Sequence, residues 1–180
     1  THIRLYEAYG FRMKRITAVM ERAVKADGEM PAVVRCFSDL PSSEKPAVLR
    51  ECRRIAESVY GGLDLGGEIL SIDRAGFGDT ILLGQESAMT GFACCHQGRG
   101  SEAGSPQTVV KFAAVRSAAN ASSEFEKLMT ACEVFAALRG TNRLVAGTNT
   151  GRTECYEAML DMGFRSWMNG IAMLKTAGGD

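Results

Sequence analysis

The sequence predicts a mixed α/β fold of the α+β kind: a central, mostly antiparallel sheet flanked by helices. Three observations lead there. Thr108–Val115 is apolar on both faces, as suits a strand in the middle of a sheet. Phe125, Leu128, Met129, Cys132, Phe135, Ala136 and Leu138 recur at helical spacing and form one apolar stripe. Short strand-like runs and a second helical stripe surround this pair, separated by glycine-rich turns.

The central stretch, Gln107 to Gly140, has the sharpest local signals. A polar turn, Arg116 to Ser122, joins the strand to the helix. Ser123 with Glu126 reads as a capping box, and Gly140 stands where a C-terminal stop belongs. A buried strand feeding a helix through a short turn leaves amide N–H groups unpaired at the helix start. With the helix dipole, they form an anion site.

Ahead of this stretch, Arg4–Tyr9 reads as the end of a helix stopped by Gly10. Phe11–Met20 then reads as a strand with Ile16, Ala18 and Met20 on one face. Residues 21–31, polar and containing Gly28 and Pro31, read as a linker. Ala32–Phe37 is a candidate first strand. Ser42 or Ser43 is expected to cap a helix running to Tyr60, with Pro46 in its first turn. Its buried face would carry Leu49, Cys52, Ile55, Ala56 and Val59, and Gly61-Gly62 would stop it. Residues 63–79 suit a short helix or a strand before a turn at Gly76–Asp79. Thr80–Leu83 and Ser87–Cys95 read as antiparallel strands. Gln97–Pro106 reads as a flexible hairpin tip: its Gly98-Arg99-Gly100 joins two strands, with no helix N-terminus behind it. Beyond the central helix come a strand at Leu144–Thr148, a turn at Asn149–Gly151, a helix at Thr153–Leu160 and a last strand to Leu174. The tail Ala177–Asp180 is expected to fray.

The two ends resemble each other. Tyr6 leads to Gly10-Phe11-Arg12 and a strand, and Tyr156-Glu157-Ala158 leads to Gly163-Phe164-Arg165 and a strand. The spacing from Gly to Met is the same in both, while the second helix carries three extra residues. Two equivalent tails around one body suggest a tandem duplication whose first repeat is truncated here. The expected organisation is a remnant of a preceding repeat over 1–25 and one domain over 32–175.

Composition narrows the function classes. Lysine plus arginine and aspartate plus glutamate balance at 21 each in 180 residues, which argues against a nucleic-acid binder or a polybasic membrane-surface protein. No apolar run reaches bilayer-spanning length, and the opening residues lack a signal-peptide pattern. The six cysteines show no CxxC pairing, so reduced, buried thiols in a cytoplasmic protein are expected. Cys94, Cys95 and His96 are adjacent, but consecutive strand residues point to opposite faces and cannot all turn to one metal. No metal site is expected.

Taken together, the central strand and helix, the strand ending at Asn149, and the Gly163-Phe164-Arg165 step resemble the GNAT acyltransferase superfamily over roughly residues 32–175. The Tyr6…Gly10-Phe11-Arg12 segment is similar to the last part of a preceding GNAT repeat. The resemblance implies an acyl-CoA cofactor, acetyl-CoA by default, inserted between two diverging parallel strands, Val109–Val115 and Leu144–Thr148. Backbone at Ala114 and Val115 would meet the pantetheine arm. The pyrophosphate would sit near Asn120, Ser122 and Ser123, with Arg116 or Arg152 as a nearby cation and Asn149 at the end of the second strand. A small-molecule or peptide amine would attack the thioester directly.

Laid on this chain, the family's Gln/Arg-x-x-Gly-x-Gly/Ala loop becomes Asn120-Ala121-Ser122-Ser123-Glu124-Phe125, with neither the cation nor the glycines. Glu124 suits the helix dipole but would repel a phosphate, and Phe125 is expected to point into the core. The family's tyrosine acid falls on Tyr156 counting from Asn149, or on Met159 counting back from Gly163. Tyr6 fits the spacing within the other tail. Glu86 and Glu68 are the candidate bases. Two functions follow: an amine acetyltransferase, or a catalytically degenerate GNAT-fold domain beside an active repeat. The N-terminal strand needs an edge to pair with, so a homodimer is a further expectation.

Overall fold

A computed structural model describes residues 2–25, 29–85 and 88–175. The elements, in chain order, are α1 (His2–Ala8), β1 (Phe11–Ala23), β2 (Val34–Cys36), a 3-10 turn (Phe37–Asp39), α2 (Lys45–Val59), α3 (Gly66–Ala75), β3 (Gly78–Leu83), β4 (Gly91–Gly98), β5 (Gly104–Val115), α4 (Ala121–Leu138), β6 (Arg143–Asn149), α5 (Thr153–Asp161) and β7 (Arg165–Lys175). The strands form one seven-stranded sheet in the order β2-β3-β4-β5-β6-β1-β7. The β2/β3, β3/β4 and β4/β5 pairs are antiparallel, and β5/β6 is parallel. This is the mixed, mostly antiparallel sheet with helices that the sequence predicts.

The chain divides into two compact units, Thr1–Met20 with Gly147–Asp180, and Glu21–Ala146. In the larger unit, the face of β3, β4 and β5 that carries Leu82, Phe92, Cys94 and Ala114 packs on α2 and α3 through Val48, Cys52, Ile55, Ile69 and Ile72. On the opposite face, Cys95 meets Cys132 of α4, with 3.7 Å between the sulfurs. The side-chain alternation expected for Cys94, Cys95 and His96 is therefore present. Desolvation pushes the Cys94 thiol up to about 12. Burial, with the charge of Asp79, does the same for Cys36. Neither is a ready nucleophile. In the smaller unit, α1 ends at Gly10 and α5 at Gly163, both with positive φ, and each hands on to a strand. Gly10 lies beside Lys175, and Thr17 beside Gly170, so β1 and β7 run antiparallel.

Several boundaries differ from the sequence expectation. The cap of α2 is Glu44, not Ser42 or Ser43. Those serines lie in a turn, where the Glu44 amide donates to the Pro41 carbonyl. The Ser123/Glu126 capping box does not form. Asn120 is the N-cap, and Ser123, already inside the first turn, donates its hydroxyl to the Asn120 carbonyl. β1 continues to Ala23, into the expected linker, because Arg22 and the Lys25 amide are both held by Glu133 of α4. β4 begins at Gly91 rather than Ser87. Before it, the Thr90 amide donates to the Leu83 carbonyl. β5 starts at Gly104, which pairs with Gly98 to close the expected hairpin. The ambiguous 63–79 stretch is helical over α3 and ends on Gly76 in the left-handed region. Two stripe residues face outward: Leu138 is 60% exposed and Ile16 is 51% exposed. The expectations for Glu86, Ser87, Gly28 and the tail beyond Lys175 fall partly or wholly outside the described residues.

Candidate active site

The larger unit places a strand end ahead of a helix start, as the sequence predicts. β5 is hydrogen-bonded on both sides from Gln107 to Val110, antiparallel to β4 and parallel to β6. Beyond that point β5 continues to Val115 paired with β4. The register passes from Cys95↔Val110 to Cys94↔Phe112, so Lys111 is an extra, bulged residue. A bulge bends its strand and increases the local twist. The last part of β5, 112–115, leads towards α4. Ala114 and Val115 stand in this stretch.

The chain then turns through 117–120 into α4. Asn120, Ser122 and Ser123 are exposed at its head. First-turn amides of a helix have no helical carbonyl to bond. Glu124, in that turn, is drawn to two partners: it accepts from Thr90 Oγ1 at 2.7 Å and from Lys127 Nζ at 2.8 Å. Lys127 and then Thr90 hold its carboxyl below the usual range, so it is ionised. The Arg116 guanidinium is engaged: Nε donates to the Met89 carbonyl at 2.8 Å, and the charge pairs with buried Glu51 of α2. Phe125 is half-buried.

In the smaller unit, Asn149 closes a tight turn. Its side-chain oxygen accepts from the Gly151 amide, and its carbonyl accepts from Arg152. Arg152 is the N-cap of α5, and Tyr156, half-buried, lies one turn further on. Met159, the other position in register for an acid, is buried in the core. Tyr6 lies edge-on to Phe11 with ring centroids 5.6 Å apart.

One cluster escapes sequence reading. His96 of β4, nearly buried, lies with Nε2 2.7 Å from Oε1 of Glu68 on α3. The same oxygen is 3.4 Å from Lys111 Nζ, which also bonds Glu102 at 2.5 Å. Burial pushes the Glu68 carboxyl up, but the His96 hydrogen bond and the Lys111 charge outweigh it and leave the group below its ordinary value. Glu68 could be offered as a base from sequence. Its partner could not, because the helix or strand character of 63–79, and hence the face of Glu68, was open. Among the described residues, no group of His, Cys, Asp and Glu is arranged to hold a metal. No helix among them is long and apolar enough to cross a membrane.

No family model matches the chain, and no curated protein does. Solved structures do. A GCN5-related N-acetyltransferase from Sphaerobacter thermophilus aligns with 96% of this chain at 13% identity and a TM-score of 0.63. This chain spans 55% of that one. A tandem GNAT protein from the clavulanic acid biosynthesis pathway aligns with 99% of the chain at 12% identity and a TM-score of 0.58, and 59% of it is spanned. The protein TTHA1254 of Thermus thermophilus aligns over 82% at 19% identity and a TM-score of 0.53, with 98% of it spanned. At these identities the likeness establishes the fold, which is that of GNAT acetyltransferases.

Proposed function

We propose that this chain carries an N-acyltransferase site that takes acetyl-CoA as donor and a small-molecule or peptide amine as acceptor. The observation that carries the reading is β5, which runs parallel to β6 over 107–110 and leads through a short turn to an exposed helix start. Backbone at Ala114 and Val115 of β5 would meet an amide-bearing arm. The head of α4 offers amide N–H groups and the exposed hydroxyls of Ser122 and Ser123, beside Asn120, to a pyrophosphate. The amides and hydroxyls at the head of α4 suit an anion, whereas the ionised Glu124 opposes it and is only partly offset by Lys127. Arg116, already paired with Glu51, would have to turn from that partner to meet the phosphate.

When bound, the cofactor would supply an activated acyl thioester. The protein would hold it in line with the amine and manage two protons, one leaving the amine and one reaching the thiolate. By the family landmarks, Tyr156 would be the acid, and Asn149 and Arg152 would be cofactor contacts. The competing reading is a GNAT-fold domain that no longer catalyses. It is favoured by the absence of the loop glycines and by Glu124 in the first turn. In either case, the chain's span of a little over half of two longer relatives supports a second repeat beside it or, failing that, a homodimer. Six free thiols accord with a cytoplasmic setting.

Acetyl-CoA titration, followed by calorimetry and thermal shift, tests the proposal. The chain is expected to bind, and Ser123→Glu, which places a second carboxylate at the helix head, should weaken binding at least tenfold. Absence of binding by the unaltered chain selects the degenerate reading.

A further inference from the structure

The likeness between the two tails of the chain extends to individual hydrogen bonds. Gly10 and Gly163, with φ of +84° and +88°, each end a helix and open a strand. Their amides donate to the Glu7 carbonyl at 3.0 Å and to the Leu160 carbonyl at 2.9 Å. Two residues on, Arg12 Nη1 donates to the Glu7 and Phe11 carbonyls at 3.4 and 2.9 Å. Arg165 Nη1 donates to the Leu160 and Phe164 carbonyls at 3.0 and 2.7 Å. Glu7 and Leu160 hold the same place, three residues before the glycine. α1–β1 and α5–β7 are therefore one helix–turn–strand motif present twice.

The two copies meet about a local twofold axis. Thr17 and Gly170 each stand seven residues after the glycine of their copy, and a Cβ on Gly170 would lie 3.9 Å from the Cβ of Thr17. Equivalent residues facing each other across antiparallel strands mark an isologous contact. On its other side β1 neighbours β6, and the Thr150 amide, just past β6, donates to the Ile16 carbonyl at 3.0 Å. The twofold operation carries that contact to the outer side of β7. There a strand equivalent to β6 would meet Asn169, the counterpart of Ile16. Among the described residues, no strand lies beyond β7.

Burial separates the copies. Met159 and Phe164 are 1% and 0% exposed. Their counterparts are more open: Tyr6 is 48% exposed and Phe11 is half-buried. The motif that follows a body of this fold is covered, and the motif that precedes this body is not. A second copy of the chain as it stands does not fit the open side, because its β6 is already flanked by its own β1.

We propose that α1–β1 and the outer edge of β7 form the interface for a second body of this fold, a preceding repeat, and that the two repeats exchange their last strands. β1 lies beside the β6 of this body, and β7 would lie beside the β6 equivalent of the other. Tyr6 and Phe11 would join the core of the preceding body, as Met159 and Phe164 are core residues here. The inference rests on the repeat reading and is independent of the acyltransferase one.

The test compares this chain with the natural polypeptide that extends ahead of residue 1. In the longer protein, hydrogen exchange in β7 is expected to slow by roughly 100-fold or more relative to the chain alone. Phe11→Ala should lower the melting temperature of the longer protein by roughly 5–10 °C, and that of the chain alone by less than about 2 °C. Phe164→Ala should lower both. Exchange in β7 that is equally fast in both proteins overturns the proposal. So does a Phe11→Ala loss of the same size in both, and so does a natural polypeptide with no second body ahead of residue 1. Thr17→Cys combined with Gly170→Cys tests the pairing within this chain. The Cβ separation is close to the mean of about 3.8 Å for a disulfide, so mild oxidation should give a cross-link inside one molecule. The unaltered chain, with its six native cysteines, is the control. Absence of the bond overturns the twofold pairing. A covalent dimer means that β1 is exchanged between two copies, and it overturns the choice of partner. None of these readouts involves acetyl-CoA, so their failure and that of the acyltransferase reading are distinguishable.

Discussion

Glu124 shows how one residue can serve the helix and oppose its ligand. Its carboxylate in the first turn of α4 complements the helix dipole, and Lys127 and Thr90 hold it in place. An approaching pyrophosphate meets the same charge as repulsion. Charge at a helix end is worth about 0.3–1 kcal/mol, so Glu124→Gln should tighten acetyl-CoA binding by roughly two- to fivefold and lower thermal stability slightly. Calorimetry and a melting curve check the two halves of that statement. The pH dependence has a definite sign. The folded carboxyl is depressed relative to the unfolded one. Its contribution to stability is therefore present above the ordinary glutamate range, near about pH 4.3, and is lost as pH falls through the lower folded value. Glutamine at this position should remove that part of the acid sensitivity. Glu133 differs in kind: buried on α4, it holds Arg22 and the Lys25 amide, a structural duty with no ligand in view.

The paired strands β3 and β4 come close together at Gly78. Gly78 has φ of +134°, and a Cβ there would stand 2.0 Å from the carbonyl oxygen of Cys95. The neighbour is backbone within the ladder that carries His96, so it has no room to yield. Gly78→Ala should cost about 3 kcal/mol or more, read as a shift in the urea midpoint. Gly67 provides the contrast on the next element. It lies within α3, exposed, with nothing within 4 Å of an added Cβ. Gly67→Ala should stabilise by about 0.5–1 kcal/mol, the helix propensity difference. The pair separates a glycine required by close approach from one that is merely tolerated.

Across the whole molecule, burial is uneven. The first six residues of β4 are all buried, whereas β7 has no buried residue and ends the sheet order. The sole tryptophan, Trp167, is 55% exposed on that strand, and Tyr9, Met13, Met168 and Leu174 of the same unit are exposed as well. Apolar side chains exposed in such number leave this strand with little core to anchor it. In the isolated chain, hydrogen exchange should be slowest in β4, β5 and α4 and fastest in β7, because protection follows the cost of local opening. Exchange in β7 as slow as in β4 would mean the strand is covered in solution.

Local pattern alone determined most of the strands and helices, the glycine stops at Gly10, Gly140 and Gly163, and the order that resembles a GNAT fold, but left 63–79 open. Those features depend on periodicity and on backbone freedom, both written into neighbouring residues. Tertiary structure decided the rest. The length of β1 depends on Glu133, more than a hundred residues away in sequence. The bulge at Lys111 exists only as a mismatch between two paired strands, and no single strand carries that information. Glu68 and His96 become a pair only when α3 folds over β4, because a hydrogen bond between distant residues requires the whole core to set its geometry.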